Sequence, residues 1–406
     1  MNQHLSARIG QAVEIARWAP SSHNCQPWRL LPISRSTGER YVKEQGKAGK
    51  TAWVVLALDR SRELKALPSL ETEMYLSCGM FLGLFWEAMV AQGVDCRVGW
   101  PRQDWLEGEL GELEDDLGLT PLVVLALEPQ GETDSVVLSR LHEAALNRRT
   151  LRGPYDSEAL PQDTLERLLA TRWPSTITGN SLNITIEQEP TWVARTANLV
   201  RRYASRDFSR YRVWRETYRY IHFDESASAE DGFYLSNLMG PVSDQRRNLM
   251  RWLLNPKVVQ VLRFVGVPRL MARQLAGKVE HSPQLLTASL PGEEQSPRSL
   301  VQAGTRLMEL WLQAHACGLA FHPISVLLQY DDSRHDLQEI LAPTERIVFF
   351  ARLGKGAPPA GRNPRRKVTD ITTIPPGFPI RGGDDDEWEE SPTPGETTGE
   401  PHADTR

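Results

Sequence analysis

The chain has 406 residues, a formal net charge of −5 and four cysteines. That length exceeds the roughly 250–300 residues at which single cores stop growing, so two domains or one two-lobed body are expected, and the mildly acidic, well-mixed charge argues against a nucleic-acid partner. Cys25, Cys78, Cys96 and Cys317 form no C-x-x-C pair, which points away from a zinc site or a disulfide framework and toward reduced thiols in a cytoplasmic protein.

The chain opens on an amphipathic helix over Leu5 to Trp18, interrupted by charge and lacking the apolar core of a signal peptide. No apolar run of the roughly 18–20 residues that span a bilayer is expected anywhere. The segment ARWAPSSHNCQPWRL then ends the helix before Pro20. It places Ser21, Ser22, Asn24 and Gln26 in a loop that closes into a strand at Trp28. Such a loop offers neutral hydrogen-bond groups to the polar edge of a ring or a polyol; local Asx and Ser turns are the competing use of the same side chains.

An internal repeat follows. A shift of 225 positions lays the segment starting at Leu76 on that starting at Val301, aligning Gly79 with Gly304, Trp86 with Trp311 and Gly93 with Gly318. The same shift lays Leu119–Leu127 on Thr344–Arg352. Each copy reads as a long helix ending near a Gly, then a short strand suited to burial, so an α+β unit occurs twice.

Between the copies, Ser139–Leu146 and Pro161–Leu169 read as helices flanking Arg148, Arg149, Thr150 and Arg152. Guanidinium groups are forked, permanently charged donors that match phosphate oxygens, though a solvated basic turn uses the same composition. After the strand-like LNITIEQ comes an extra stretch over 208–286, with apolar and basic residues at helical spacing and Pro256 and Pro268 as breakers. It is expected to be a lid; an added helical hairpin and a basic amphipathic membrane-surface element are the alternatives. Beyond the last strand, Arg352, Lys355, Arg362, Arg365, Arg366 and Lys367 cluster, a second cation group of the kind a phosphate monoester requires. Residues 381–406, rich in acid, Pro, Gly and Thr, are expected to form a disordered tail.

Taken together, ARWAPSSHNCQPW resembles the nitroreductase-family signature of a helix followed by A-P-S-x-x-N-x-Q-P-W. NRRTLRGPY is similar to the family's R-R-S-x-R-x-F opening element, with Thr150 in the Ser place. GLAFHPIS resembles its strand beside the flavin, and ARLGKG with RNPRRKV resembles its closing strand and basic arm. The resemblance implies an α+β, nitroreductase-like fold of two tandem halves forming a pseudo-dimer, 1–130 and 131–380, with the helical lid inserted in the second. The nearest pattern is a fused subgroup similar to the mycobacterial Acg proteins.

The resemblance further implies an FMN-dependent oxidoreductase that reduces or dehydrogenates a small organic substrate by hydride transfer, with NADPH or NADH as donor. An FMN storage or sequestration protein is the alternative. Arg148, Arg149, Thr150, Arg152, Arg365 and Arg366 would hold the phosphate and ribityl chain, and Ser21, Ser22, Asn24 and Gln26 would approach the flavin from the other half. His322, Pro323, Ile324 and Ser325 would line one ring face, with His322 a candidate catalytic side chain. Because the first half has only Arg8 in its opening element and runs into the acidic EPQGETD, a single composite site, one FMN per chain, and a monomer or weak homodimer are expected. No metal is.

Overall fold

A computed structural model describes residues 3–42, 51–102, 106–225, 229–292, 295–341, 344–357 and 361–374. The acidic tail expected over 381–406 lies outside the described residues.

Up to Pro129 the order is α1 (Gln3–Ala16), β1 (Trp28–Pro32), α2 (Arg35–Tyr41), β2 (Ala52–Asp59), α3 (Leu70–Ala91), β3 (Val94–Gly99), α4 (Glu109–Asp115) and β4 (Leu119–Pro129). The sheet runs β1-β2-β4-β3 with every neighbour antiparallel. β2 and β4 are central and covered on both faces, which is why AWVVLALD and LTPLVVLAL read as continuous apolar runs rather than alternating ones.

The chain continues through α5 (Ser135–Asn147), α6 (Gln162–Leu169), α7 (Ser175–Thr178), β5 (Asn183–Glu187), α8 (Pro190–Tyr203), α9 (Ser205–Ser209), α10 (Tyr211–Arg219), β6 (Ile221–His222), β7 (Phe233–Tyr234) and α11 (Leu235–Met239). Then come α12 (Asp244–Leu253), α13 (Pro256–Leu262), α14 (Val267–Glu280), β8 (Gln284–Leu290), α15 (Pro297–Ala316), β9 (Ala320–Pro323), α16 (Asp331–Leu341), β10 (Arg346–Gly354) and α17 (Val368–Ile371). The second sheet runs β5-β8-β10-β9, again antiparallel throughout. Strand for strand, it repeats the order of the first.

The repeat detected in the sequence is the contact between the two units. α3 packs along α15, and they cross at their aligned glycines. A Cβ on Gly79 would lie 2.0 Å from the Val301 carbonyl oxygen, and one on Gly304 would lie 2.2 Å from that of Leu76. Thr305 Oγ1 donates to Gly79 O at 3.1 Å across the same crossing. Only hydrogen side chains allow the backbones this close. The glycines at the helix ends serve another purpose: Gly93 (φ +66°) and Gly318 (φ +70°) take the left-handed conformation that terminates a helix.

Two expectations change. By length and composition Leu70–Ala91 would pass as a membrane span, contrary to the reading that no such run exists, but 89% of its apolar window is buried inside the protein. α3 is apolar all round because sheet, α1 and α15 cover it on every side. The stretch taken as 208–286 also ends too late, since Gln284–Leu286 begin the buried strand β8. Within it, α14 packs on α8 through the buried Ala272, Ala276 and Val279. The extra helices are therefore rooted in the second core.

Candidate functional site

The loop after α1 is held in an unusual shape. His23, Asn24 and Gln26 have φ of +49°, +55° and +51°, a region that costs a non-glycine residue about 1–3 kcal/mol and persists only where surroundings enforce it. Here Asn24 N donates to Ser21 O at 2.9 Å, Cys25 N to Ser22 O at 3.0 Å, and Gln26 N to Ser21 Oγ at 3.0 Å. The turn directs Ser21, Ser22 and His23 into a cavity of about 1430 Å³.

The C-terminal arm crosses to this loop. Asn24 Nδ2 donates to Pro364 O and to Gly232 O, both at 2.8 Å, while Asn24 Oδ1 accepts from Arg365 Nη1 at 2.6 Å. Arg366 N donates to Gln26 Oε1, and its Nη1 donates to the carbonyls of Gln26 and Trp28, all at 2.9 Å. Gln26 and Arg366 therefore satisfy each other and line neither cavity. Together they form a clasp between loop and arm.

A second, small cavity of about 60 Å³ adjoins the large one and shares Ser21, His23, Thr150 and Arg152 with it. Arg148, Arg149, Arg152, Arg362 and Arg365 line it, with Asn24 and no carboxylate. The arginines converge because α5 ends at Asn147 and the chain then runs beside β9, where Leu151 N donates to Phe321 O at 3.1 Å. Arg148 Nη2 reaches Trp18 O at 3.3 Å, and its guanidinium stacks 4.8 Å from the Trp311 ring centroid.

Arg148 Nε and Nη1 and Arg365 Nε are buried without a hydrogen-bond partner among the described residues. Burial, followed by repulsion from Arg149, pushes Arg148 down to about 9. Burial, then Arg148, Arg17 and Arg149, does the same to Arg365. A guanidinium keeps its proton, so these shifts express how unfavourable the uncompensated cations are. An anion in the small cavity would offset that cost.

Thr150 and Arg152 line both cavities, and His322, Pro323, Ile324 and Ser325 form a wall of the large one. His322 is buried and held far below the usual histidine range by burial, then by Arg152, Arg352 and Lys278. Its Nδ1 lies 3.1 Å from Arg352 Nη1. Arginine only donates, so Nδ1 is the acceptor and the imidazole is neutral. A neutral His322 carries no imidazolium proton to give up at neutral pH. The Ile324 N–H is likewise engaged, donating to Phe350 O at 2.9 Å.

Sequence reasoning missed two acids, Glu73 of α3 and Asp207 of α9, which also line the large cavity. Glu73 accepts a short hydrogen bond from Ser22 Oγ and is raised by burial against the opposing effect of Ser22, Ser325 and Gln329. Asp207 is lifted to about 7 by burial, and the Gln329 amide, nitrogen inward, donates to its Oδ1 at 3.2 Å. His23 was passed over as well. It lines both cavities, and burial, then Arg152, hold it down at about 4.

With the geometry in place, comparison with known proteins is informative. The nitroreductase-family profile matches residues 145–355, just over half of the chain. The chain is 33% identical over 375 residues to the protein of Serratia sp. (strain ATCC 39006) named "Probable NAD(P)H nitroreductase PigM", covering 92% of this chain and 95% of that one. Among solved structures, the FMN-dependent nitroreductase NfnB from Mycobacterium smegmatis in complex with NADPH is 14% identical with a TM-score of 0.36, over 58% of this chain and 97% of that one. Iodotyrosine deiodinase bound to FMN and 3-iodo-L-tyrosine is 14% identical with a TM-score of 0.33, over 60% and 98% respectively. By the profile match and the Serratia relative, the chain belongs to the nitroreductase family of oxidoreductases, with an α+β fold of the nitroreductase type.

Proposed function

We propose that this protein is an FMN-dependent oxidoreductase with one composite site per chain, its two halves, 1–130 and 131–380, standing in for two protomers. The observation that carries the reading is the small cavity lined by five arginines without a carboxylate. Its unpartnered guanidinium nitrogens fit a phosphate monoester. Arg148, Arg149 and Arg365 would hold that phosphate, with Thr150 and Arg152 where the cavities join. Ser21, Ser22 and Asn24 come from the first half, and His322–Ser325 from the second. Bound FMN would supply two-electron hydride exchange between NADPH or NADH and a small organic substrate.

The protein's own residues set the conditions. Neutral His322 and cationic Arg152, Arg352 and Lys278 give one wall a positive field, which favours a ligand that gains negative charge on reduction. The same cavity holds Asp207, whose elevated affinity for a proton lets it carry one near neutrality. At about 1430 Å³ the cavity exceeds the roughly 300–1,000 Å³ usual for one ligand, leaving room for a substrate beside a flavin ring. That space favours turnover over storage. Helices α10–α13 and the start of α14 are read as a lid, as in the fused subgroup similar to the mycobacterial Acg proteins. The fused halves complete the pocket within a chain, consistent with a monomer or weak homodimer, and a cytoplasmic setting would supply NADPH and NADH.

Heat-released flavin from the purified protein, quantified by chromatography, should be FMN at one per chain, and NADPH or NADH oxidation should accelerate with menadione or a nitrofuran as acceptor. Two FMN per chain, FAD, or tight flavin without turnover would each count against the reading.

A further inference from the structure

The extra helices carry a surface that the cavity does not explain. Seven of the twelve large apolar side chains exposed among the described residues fall between Met239 and Leu270, so they form a concentration rather than the usual scatter. Phe264 and Val265 are the most open, at 80% and 76%, followed by Val261 at 68%. They crown a corner where α13 passes into a turn over Arg263–Val265 and Gly266, at φ +88°, reverses the chain into α14. Beneath the corner, Pro256, Val259, Pro268 and Ala272 are buried, so the exposed crown stands on an anchored base.

Charge separates this surface from the rest of the molecule. From Gln245 to Val279 the sequence contains eight Lys and Arg and no Asp or Glu, within a chain of net charge −5. Arg247 and Arg251 are paired with Asp224, and Lys278 faces the cavity. Lys257, Arg263, Arg269 and Arg273 are exposed and have no ion pair among the described residues. The Arg263 guanidinium sits 4.7 Å from the Phe264 ring centroid, leaving aromatic and cation side by side at the apex.

We propose that the α12–α14 corner is a peripheral docking element for an anionic lipid surface, with Phe264 and Val265 entering the headgroup region and Lys257, Arg263, Arg269 and Arg273 meeting the lipid phosphates. Phe264 and Val265 stand largely free of the protein, and an acid-free stretch combining exposed aromatic and basic side chains is the pattern of an interfacial element. Met271 and Leu275, farther along α14, line the large cavity. The docked corner and the cavity thus share a helix, whatever reaction the cavity carries.

Flotation of the full-length, flavin-loaded protein with vesicles of phosphatidylcholine, with and without phosphatidylglycerol, tests this. Binding is expected only with phosphatidylglycerol and should be lost near 1 M salt, where screening shortens to about 3 Å. The variant K257E/R269E/R273E should weaken binding by about a hundredfold or more, from about 1 kcal/mol per cation. F264S/V265S should weaken binding without altering bound flavin, which is measured in the same samples and shows that the variants fold. Equal binding to neutral vesicles, or none to anionic ones at low salt, overturns the proposal. So does a stable homodimer, seen by light scattering, that F264S/V265S dissociates, because that outcome assigns the crown to a second copy of the chain.

Discussion

The small cavity and the acid-bearing part of the large one handle charge in opposite ways. In the small cavity five arginines gather with no carboxylate among the described residues and leave buried guanidinium nitrogens without a partner there. In the large one, Glu73 accepts from Ser22 Oγ, and the Gln329 amide, nitrogen inward, donates to Asp207. These acids can settle their charge internally, because burial raises the proton affinity of both. The arginine cluster has no such recourse, since guanidinium does not deprotonate, and an anion from outside would offset its charge. An imbalance that the protein cannot remove by titration is thus a stronger pointer to a ligand than one it can.

The comparison breaks most sharply at the arginines. R148M/R365M should raise the FMN dissociation constant by about a hundredfold to a thousandfold or more, from roughly 1.5–3 kcal/mol for each charge-assisted contact. The same variant should melt at a higher temperature than wild type when both are flavin-free, because a buried unpaired cation has been replaced by an apolar side chain. Fluorescence titration and calorimetry of the apoproteins measure the two effects. Unchanged affinity would move the phosphate elsewhere, and a lower apo melting temperature would mean that the cations are balanced within the fold.

At the acid end the expected effect is a pH dependence of stability. Burial lifts Asp207 from 3.8 to about 7, so between those values the folded state binds the proton more tightly than the unfolded one. The resulting stabilisation is complete below the unfolded value and is lost as pH rises through about 7. Between pH 5 and 8, wild type should lose roughly 2–3 kcal/mol relative to Asp207→Asn, which has no proton to release. Denaturant melts of both proteins at the two pH values read this directly, and parallel behaviour would show Asp207 ionised throughout.

The smallest effects separate the loop from its degenerate counterpart. Asn24→Ala removes the acceptor for Arg365 Nη1 and places Ala at φ +55°, a conformation Asn tolerates better. It should weaken FMN by about tenfold at most, acting through the position of Arg365. Arg8→Ala should leave affinity unchanged, since Arg8 Nη1 donates at the surface to Gly131 O at 3.2 Å. A silent Asn24→Ala beside a damaging Arg8→Ala would relocate the site to the symmetry-related position.

Much of the architecture was written in local pattern. The long apolar helices, the glycines at 93 and 318 and the strands at 119–127 and 346–354 follow from periodicity and backbone sterics that act within a few residues. The alignment of Gly79 with Gly304 marked the repeat, whereas only the structure shows why glycine stands in both copies: the two helix backbones cross there. Arg148, Arg149, Arg152 and Arg365 stand out in the sequence as permanent cations, and the fold brings them to the wall of one cavity.

Other features existed only once distant segments met. Gln26 and Arg366 look like site residues in sequence, yet folding pairs them with each other across 340 positions. Glu73, Asp207 and Gln329 come from α3, α9 and the turn before α16, and nothing in any of these segments marks it as part of one wall. Their altered proton affinities come from desolvation and from neighbours supplied by other segments. Local sequence thus determined which elements form and which residues carry permanent charge. Tertiary structure decided which charges are left unbalanced, because burial and proximity belong to the assembled fold and to no single stretch of chain.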